Sequence, residues 1–261
     1  MIAQTYFKGL LSRIHDILHE DLVGLYLTGS ASMDDFITSK SDFDVIGVVE
    51  RLITEEDKNK LEQSLKHENF PCPSEGLDIV LMTKENAIGI KQNPDYEFWY
   101  STGANWPVIS WESGTSSEMS IFLELCRQHG IVIYGDQATN LISPINTQFL
   151  YLAFKEIIEW HRNHLLDEYH DPKGQNSVLN ACRILKFIES KKFYSKTEGG
   201  SLYLQDSPES LAVKRALAIR GKIKEDKIDR NEILELLNKV EIELNKALDS
   251  SDYKMSAEKN V

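Results

Sequence analysis

A Gly-Ser turn and a pair of aspartates are the residues of this chain whose types and spacing could do chemistry. Gly29 and Ser30 follow a short apolar run, and such a turn lets backbone N–H groups and a hydroxyl approach a triphosphate closely. Asp42 and Asp44 flank Phe43, and on a strand this spacing puts both carboxylates on one face and the ring on the other. The paired carboxylates could therefore bind one or two Mg²⁺ ions.

A further aspartate, Asp78, lies in a later apolar run between Leu77 and Ile79. If that run forms a strand beside the first two, Asp78 completes a cluster of three carboxylates. Two metal ions held in this way suit in-line attack on phosphorus, because one ion activates the attacking hydroxyl and the other neutralises the leaving pyrophosphate. The cluster therefore predicts metal-dependent transfer of a nucleotidyl group.

Each of these signals alone has a plainer explanation. A Gly-Ser pair is most often a simple turn, an Asp-x-Asp pair is most often a solvated strand edge, and a lone strand Asp is often a surface residue. Their order along the chain is what predicts the site, since the turn, the pair and the single aspartate each adjoin a different predicted strand. The sequence has no P-loop and no dinucleotide-binding glycine pattern that would hold ATP in another way.

The elements that position these residues follow from the apolar spacing. Helical spacing and a capping pattern predict three helices in the first half, over 7–18, 54–67 and 119–129. Short runs rich in β-branched residues predict four strands, at 22–28, 45–49, 77–82 and 131–134. The segment 84–117 is predicted to be a long ordered connection.

From residue 147 onwards the apolar pattern is helical only, with predicted helices at 149–160, 178–188, 211–219 and 233–248. The break near Ser143 and Pro144 predicts a boundary between two domains, 1–144 and 145–261. The sequence therefore predicts an α+β protein, in which a mixed sheet flanked by helices precedes a helical bundle.

Composition limits the partners of the chain. The formal net charge of −12 repels nucleic acid and anionic membranes and favours a small cationic partner. No apolar run approaches the roughly 18 residues of a membrane-spanning helix, and the N-terminus lacks the profile of a secretory signal. Cys72, Cys126 and Cys182 are expected to be reduced thiols. We therefore expect a cytoplasmic monomer that binds neither nucleic acid nor membranes.

The order of the Gly-Ser turn and the aspartates resembles the signature of the polymerase-β nucleotidyltransferase superfamily. Two further segments are similar to the streptomycin/spectinomycin adenylyltransferases of the AadA type: residues 120–135, and a helical segment that begins Asn-Ser-Val-Leu at 176–179 and continues through Arg183 to Lys196. The resemblance implies a polymerase-β-like catalytic domain and a helical domain that closes the ATP and substrate site. The reaction that it implies is transfer of AMP from ATP to a hydroxyl of streptomycin or spectinomycin, with two Mg²⁺ ions.

The same resemblance implies roles for the residues that meet the nucleotide. Gly29 and Ser30 would hold triphosphate oxygens, and the aspartate pair would bind Mg²⁺. Arg183 and Lys196 would reach the triphosphate from the helical domain; on the residues alone, an Arg and a Lys at such positions would be taken as solvated.

Two positions depart from the pattern of the family. Asp78 stands where the family usually has a Glu that acts as general base towards the drug hydroxyl, and the shorter side chain leaves a metal-ligand role open as well. The aromatic residue expected to stack on adenine is replaced by Ile219, with Arg220 beside it, so an aliphatic contact or an Arg stack would have to serve.

The resemblance also implies a drug site, although its loop is remodelled. Trp99 matches a family Trp that lines the site, and Trp160 would precede an acidic loop, while its position in an apolar helical stripe also suits the core. Asp167, Glu168 and Asp171 could receive ammonium or guanidinium groups of a drug.

Other uses of the chain remain open. The acceptor could be another small hydroxylated molecule or a protein side chain. The fold could also bind nucleotide without turnover, although three intact aspartates argue against that use. His161 and His164 have a spacing that could bind a metal ion, but without a third ligand a solvated helix face is expected.

Overall fold

The structure is a computed structural model that describes residues 2–111, 113–223 and 226–258. The chain divides into two compact units, Met1–Phe149 and Leu150–Val261. The first unit is built on a mixed β-sheet with flanking helices, and the described part of the second unit is built from helices. The predicted α+β class is therefore confirmed.

In the described residues of the first unit the strands are β1 (Leu22–Thr28), β2 (Phe43–Val49), β3 (Gly76–Thr83), β4 (Asp95–Tyr96), β5 (Phe98–Gly103), β6 (Trp106–Trp111), β7 (Gly114–Thr115) and β8 (Ile131–Gly135). The main sheet has the order β6-β5-β3-β2-β1-β8, and β4 pairs with β7 in a separate ribbon. Strands β2 and β3 are parallel, whereas the other neighbouring pairs are antiparallel. The predicted strands in this half are thus all present.

Both faces of the main sheet are buried. The helices of this unit are α1 (Ile2–Leu18), α2 (Glu55–Leu65), α3 (Lys84–Ile88), α4 (Glu118–His129) and α5 (Ala138–Leu141). Leu10 and Ile14 of α1 share one core cluster with Phe43 of β2, while Tyr26 and Ile46, which alternation directs to the opposite face, are buried outside that cluster. Helix α4 contacts β1 and β2, and its buried residues also lie outside that cluster.

The second unit is organised around one helix. Its elements are α6 (Thr147–Asn163), which begins in the first unit, α7 (Gln175–Ser190), α8 (Lys196–Asp206), α9 (Leu211–Arg220) and α10 (Arg230–Glu258). Helix α7 contacts α8, α9 and α10, and it buries Val178, Leu179 and Cys182 completely. Because α7 is packed on several sides, polar residues along it need partners within the unit.

Two expectations about the elements were wrong. The segment 84–117 is not a plain connection, because it contains α3 and the strands from β4 to β7, and β5 pairs with β3. Helix α8 was missed because its apolar residues do not form one clear stripe and because it contains Gly199 and Gly200. Both glycines let α8 approach α7 closely, since a Cβ at either would crowd Arg183 or Leu179.

Two simpler expectations can be compared directly with the structure. Within the described ranges, no helix combines the length and the apolar character that crossing a membrane requires. Cys72, Cys126 and Cys182 are free, as expected of reduced thiols, and all three are buried.

Candidate active site

A row of polar residues crosses four strands of the main sheet near one end. Thr28 lies opposite Asp44, Asp44 lies beside Asp78 on the parallel neighbour, and Asp78 lies opposite Ser101. The strand that carries the third aspartate is therefore the direct neighbour of the strand that carries Asp44. Phe43 points into the core cluster on the opposite face, as its place between the paired aspartates predicts.

The Gly-Ser turn rests on the carboxylate of Asp44. Strand β1 ends at Thr28, and a short 3-10 turn, Gly29–Ser32, follows it. Gly29 has a φ of 65°, and a Cβ at this position would collide with Asp44 Oδ2, so the close approach requires glycine. The hydroxyl of Ser30 is buried, and the described part of the chain gives it no hydrogen-bond partner. A buried hydroxyl without a partner, in a turn that rests on a carboxylate, is the arrangement expected where a polar ligand is held.

Asp78 is held by one of its two carboxylate oxygens. The indole N–H of Trp99 donates to Oδ1 at 2.7 Å, and the hydroxyl of Ser101 donates to the same atom at 2.8 Å. Burial raises the pKa of Asp78 to about 6, against the effect of these two hydrogen bonds, and repulsion from Asp42 adds to the rise. The described residues offer Oδ2 no hydrogen bond. Asp78 thus combines a fixed orientation, an available oxygen and a pKa just below neutrality.

A fourth acid, Glu118, was not found in the sequence. Burial raises the pKa of Glu118 to about 7, and repulsion from Asp78 adds to the rise, so these two carboxyl groups lie near enough to interact electrostatically. Glu118 begins α4, and Phe122, one turn further along, contacts the ring of Trp99 at 6.2 Å between centroids. Acidic residues are common in the first turn of a helix, and no sequence spacing connects Glu118 to Asp78. The sequence therefore did not identify Glu118 as a site residue.

The residues present fit Mg²⁺ through the aspartate pair. Among the residues that the structure describes, no three His, Cys, Asp or Glu side chains are grouped to hold a metal ion. The three aspartates thus form no preformed cage, and Asp78 is turned towards Trp99 and Ser101. Mg²⁺ is commonly held by one or two carboxylates, with phosphate oxygens and water completing its shell. Asp42 and Asp44 match that donor set, and the turn that carries Ser30 rests on Asp44.

The two basic residues expected to meet the triphosphate lie on α7 and at the start of α8. Arg183 donates from Nε to the carbonyl of Tyr194 at 2.8 Å and from Nη1 to Oδ1 of Asn180 at 3.2 Å. Lys196 is the first residue of α8 and donates from Nζ to Oδ1 of Asn176 at 3.1 Å. Asn176 and Asn180 of α7 therefore help to orient both side chains, and the contact of Arg183 and Lys196 with ATP stays a prediction.

The residues predicted for the drug site have varied surroundings. Trp160 is 42% exposed and stacks on His164 at 4.4 Å, so its place in the core stripe was predicted wrongly. Asp167 accepts the N–H groups two and three residues further along, and Glu168 is exposed. Asp171 is only 1% exposed and accepts two N–H groups at the start of α7. Asp171 therefore caps a helix, a role that the sequence did not suggest.

Two further expectations about the helical unit change. His161 is 4% exposed, so the expected solvated helix face is wrong at this position. Its burial is tolerated because both ring nitrogens have polar partners on α7. Ile219 and Arg220, which replace the adenine-stacking aromatic of the family, are both buried, and Arg220 donates from Nε to Thr197 Oγ1 at 3.1 Å.

Comparison with known proteins gives matches to both parts of the chain. Residues 140–242 match the family model of the aminoglycoside adenylyltransferase C-terminal domain. The spectinomycin 9-adenylyltransferase of Enterococcus faecalis is 22% identical over 219 residues, which are 80% of this chain and 83% of that relative. The crystal structure of the spectinomycin adenyltransferase AAD(9), also from Enterococcus, with ATP and spectinomycin, has a TM-score of 0.70 and 20% identity, and the match covers 92% of this chain and 98% of that one.

The fold and these matches make the chain similar to nucleotidyltransferases, and this is the class of enzyme that the comparisons support. Within that class, the C-terminal match and the curated relative make the chain similar to the AadA-type aminoglycoside adenylyltransferases. The resemblance that the sequence predicts is thus confirmed.

Proposed function

We propose that this chain transfers AMP from ATP to a hydroxyl of spectinomycin or a related aminocyclitol antibiotic, with release of pyrophosphate and resistance as the result. The observation that carries the proposal is the adjacency of Asp44 and Asp78 on parallel strands, together with the orphaned hydroxyl of Ser30 in the turn that rests on Asp44. The relative and the solved structure are named for spectinomycin, which makes it the first acceptor to test. Streptomycin is the second.

The nucleotide end of the site needs donors and positive charge. Ser30 donates its hydroxyl to a triphosphate oxygen, and Asp42 and Asp44 hold Mg²⁺, for which one or two ions suit the reaction. When bound, Mg²⁺ neutralises charge on the triphosphate and on the leaving pyrophosphate. Arg183 and Lys196 add positive charge from the helical unit, since guanidinium and ammonium groups pair strongly with phosphate.

Asp78 acts as the general base. Its Oδ2 accepts the proton of the acceptor hydroxyl while that oxygen forms a bond to the α-phosphorus of ATP, and the bond to the pyrophosphate oxygen breaks. The pKa of about 6 leaves the carboxylate ionised at neutral pH and still basic enough to take a proton. Because Trp99 and Ser101 hold Oδ1, a base role suits Asp78 better than a metal-ligand role.

The acceptor is recognised by charge and shape near Asp78. Glu118 offers a carboxyl group to an ammonium group of the drug, and the indole of Trp99 forms a wall beside it. Trp160, Asp167 and Glu168 remain candidate drug contacts in the helical unit. We also retain the predictions of a cytoplasmic monomer and of no nucleic-acid partner; the net charge of −12 supports the last of these.

The test is a pyrophosphate-release assay with ATP and Mg²⁺ against spectinomycin, streptomycin, kanamycin, gentamicin and lincomycin. Asp42→Asn and Asp44→Asn are the inactive controls, because losing one carboxylate of the metal pair should lower turnover by about 1,000-fold or more. Glu56→Gln, at an exposed position on α2, is the control for substitution itself.

Release with spectinomycin or streptomycin that is lost in both aspartate variants supports the proposal. Retention of near-normal turnover in either aspartate variant contradicts the metal-pair assignment. If no drug causes pyrophosphate release while ATP binding is retained, the antibiotic acceptor is contradicted. The search then moves to metabolite or protein acceptors.

A further inference from the structure

A buried histidine lies at the centre of a polar network in the helical unit. His161 of α6 is 4% exposed, and both of its ring nitrogens contact side chains of α7. Its Nδ1 lies 3.2 Å from the hydroxyl of Ser177, and its Nε2 lies 2.8 Å from Nδ2 of Asn180. Ser177 is fully buried, so this network is shielded from water on the side of Nδ1.

The partners determine which nitrogen carries the proton. The amide Nδ2 of Asn180 can only donate, so Nε2 of His161 accepts. The hydroxyl of Ser177 donates to Asp171 Oδ2 at 2.7 Å, so it accepts from Nδ1–H of His161. The ring is therefore neutral, with its proton on Nδ1. Burial also favours the neutral form, since it lowers the pKa of His161 to about 4.

The network continues to Arg183. An Asn amide has one donor side and one acceptor side, and His161 takes the donor side of Asn180. The carbonyl Oδ1 of Asn180 therefore faces Arg183 and accepts its Nη1–H at 3.2 Å. The result is a chain of hydrogen bonds that all point one way, from the Arg183 cation to the buried Asp171 carboxylate. Chains of this kind polarise one another and hold a single arrangement.

We propose that His161 is a positioning residue, which sets the amide of Asn180 and through it the guanidinium of Arg183 for an anionic nucleotide. This inference rests on the proposed function, in which Arg183 contacts the triphosphate of ATP. Reversal of the Asn180 amide would turn its NH₂ group towards the guanidinium, where two donors meet without an acceptor. His161 prevents that reversal because its Nε2 accepts only from the NH₂ side.

Two substitutions separate the two halves of the ring. In His161→Gln the side-chain amide reaches the position of Nε2 and can accept from Asn180, but the contact with Ser177 is lost. In His161→Asn the shorter amide matches Nδ1 and can contact Ser177, but the acceptor for Asn180 is lost. We expect His161→Asn to weaken ATP binding about fivefold, the effect of one net hydrogen bond, and His161→Gln to stay within about twofold of the original chain.

The measurement is calorimetric titration of the full chain with ATP and Mg²⁺, with KM for ATP and kcat from the release assay and a thermal unfolding curve for each variant. Arg183→Ala is the reference. The double variant His161→Asn/Arg183→Ala should bind ATP no more weakly than Arg183→Ala alone, because both changes remove the same contact.

Equal losses in His161→Asn and His161→Gln, following their losses of stability, would overturn the proposal in favour of a purely structural role. Normal ATP binding by His161→Asn, while Arg183→Ala is weakened, would overturn it as well. If Arg183→Ala itself binds ATP normally, Arg183 does not contact the triphosphate, and the proposed positioning role of His161 is wrong as well. The proposed transfer reaction is then still judged separately, by pyrophosphate release in the drug assay.

Discussion

At the scale of single residues, the site depends on how one carboxyl group differs from its neighbours. Asp78 lacks one methylene relative to the Glu usual in the family, but two donors on Oδ1 hold it in one orientation. A short and fixed base loses less side-chain entropy when the acceptor binds than a long and mobile one. In the proposed reaction the acceptor hydroxyl approaches Oδ2 closely, and the carboxyl group of Glu118 and the indole of Trp99 are the groups expected to orient it.

Substitution of Asp78 by Asn should separate chemistry from binding. Asn has the same shape but cannot take the proton, so kcat should fall by about 100-fold or more, the usual contribution of general-base catalysis, while the Kd for ATP changes little. Steady-state kinetics and ATP titration measure the two effects. A variant with normal kcat and weak ATP binding would make Asp78 a metal or nucleotide ligand instead.

Substitution of Glu118 by Gln should affect the acceptor and leave ATP almost unchanged. The change removes a negative charge but retains a polar side chain of the same size, so the KM for a cationic drug should rise about tenfold at pH 8. The measurement is KM for each substrate in turn. Equal changes in both KM values, together with lower thermal stability, would mean that Glu118 serves packing at the start of α4.

At the scale of elements, helices α6 and α7 are joined by a polar network that depends on pH. Burial lowers the pKa of His161 from 6.5 to about 4, with Lys196 and His164 adding to the change and Asp171 opposing it. Between these two pH values the unfolded chain binds a proton at this position that the folded chain does not bind. The stabilising effect of a neutral His161 is therefore complete above about pH 6.5 and is lost as the pH falls towards 4.

The free energy of unfolding should show this titration. Between pH 7 and pH 5 the original chain should lose up to about 2 kcal/mol more than the His161→Gln variant, which has no group that titrates there. Urea unfolding of both proteins at several pH values measures the difference. A constant difference across this range would show that His161 keeps an ordinary pKa when folded.

At the scale of the whole molecule, the acidic balance affects how the substrates arrive. A net charge of −12 attracts a cationic drug and repels ATP, and salt weakens both effects. The KM for the drug should therefore rise several-fold between about 50 and about 500 mM NaCl, while the KM for ATP stays level or falls. Kinetics at matched Mg²⁺ test this. A drug KM that is insensitive to salt would mean that recognition is not electrostatic.

The amino-acid sequence by itself determined the α+β class, the strands around the Gly-Ser turn and the aspartate pair, and the similarity to the AadA-type adenylyltransferases. These features depend on residues that are close along the chain, where alternation, turn composition and fixed spacing act directly. The segment 84–117 and helix α8 were harder to predict, because mixed aromatic and Gly-Ser composition hides a strand and adjacent glycines weaken a helical pattern.

Only the tertiary structure decided which distant residues meet. The pairing of β3 with β2 and β5 places Asp78 between Asp44 and Ser101 on the neighbouring strands. The packing of α4 adds Glu118 to this region. No spacing in the sequence connects these positions. In the same way, His161 of α6 is buried against side chains of α7. Its spacing from His164 suggested a solvated helix face, so these partners could not be predicted from the sequence. The physical reason is that burial and hydrogen bonding depend on which elements pack together, and contacts between residues far apart in the chain leave no local pattern.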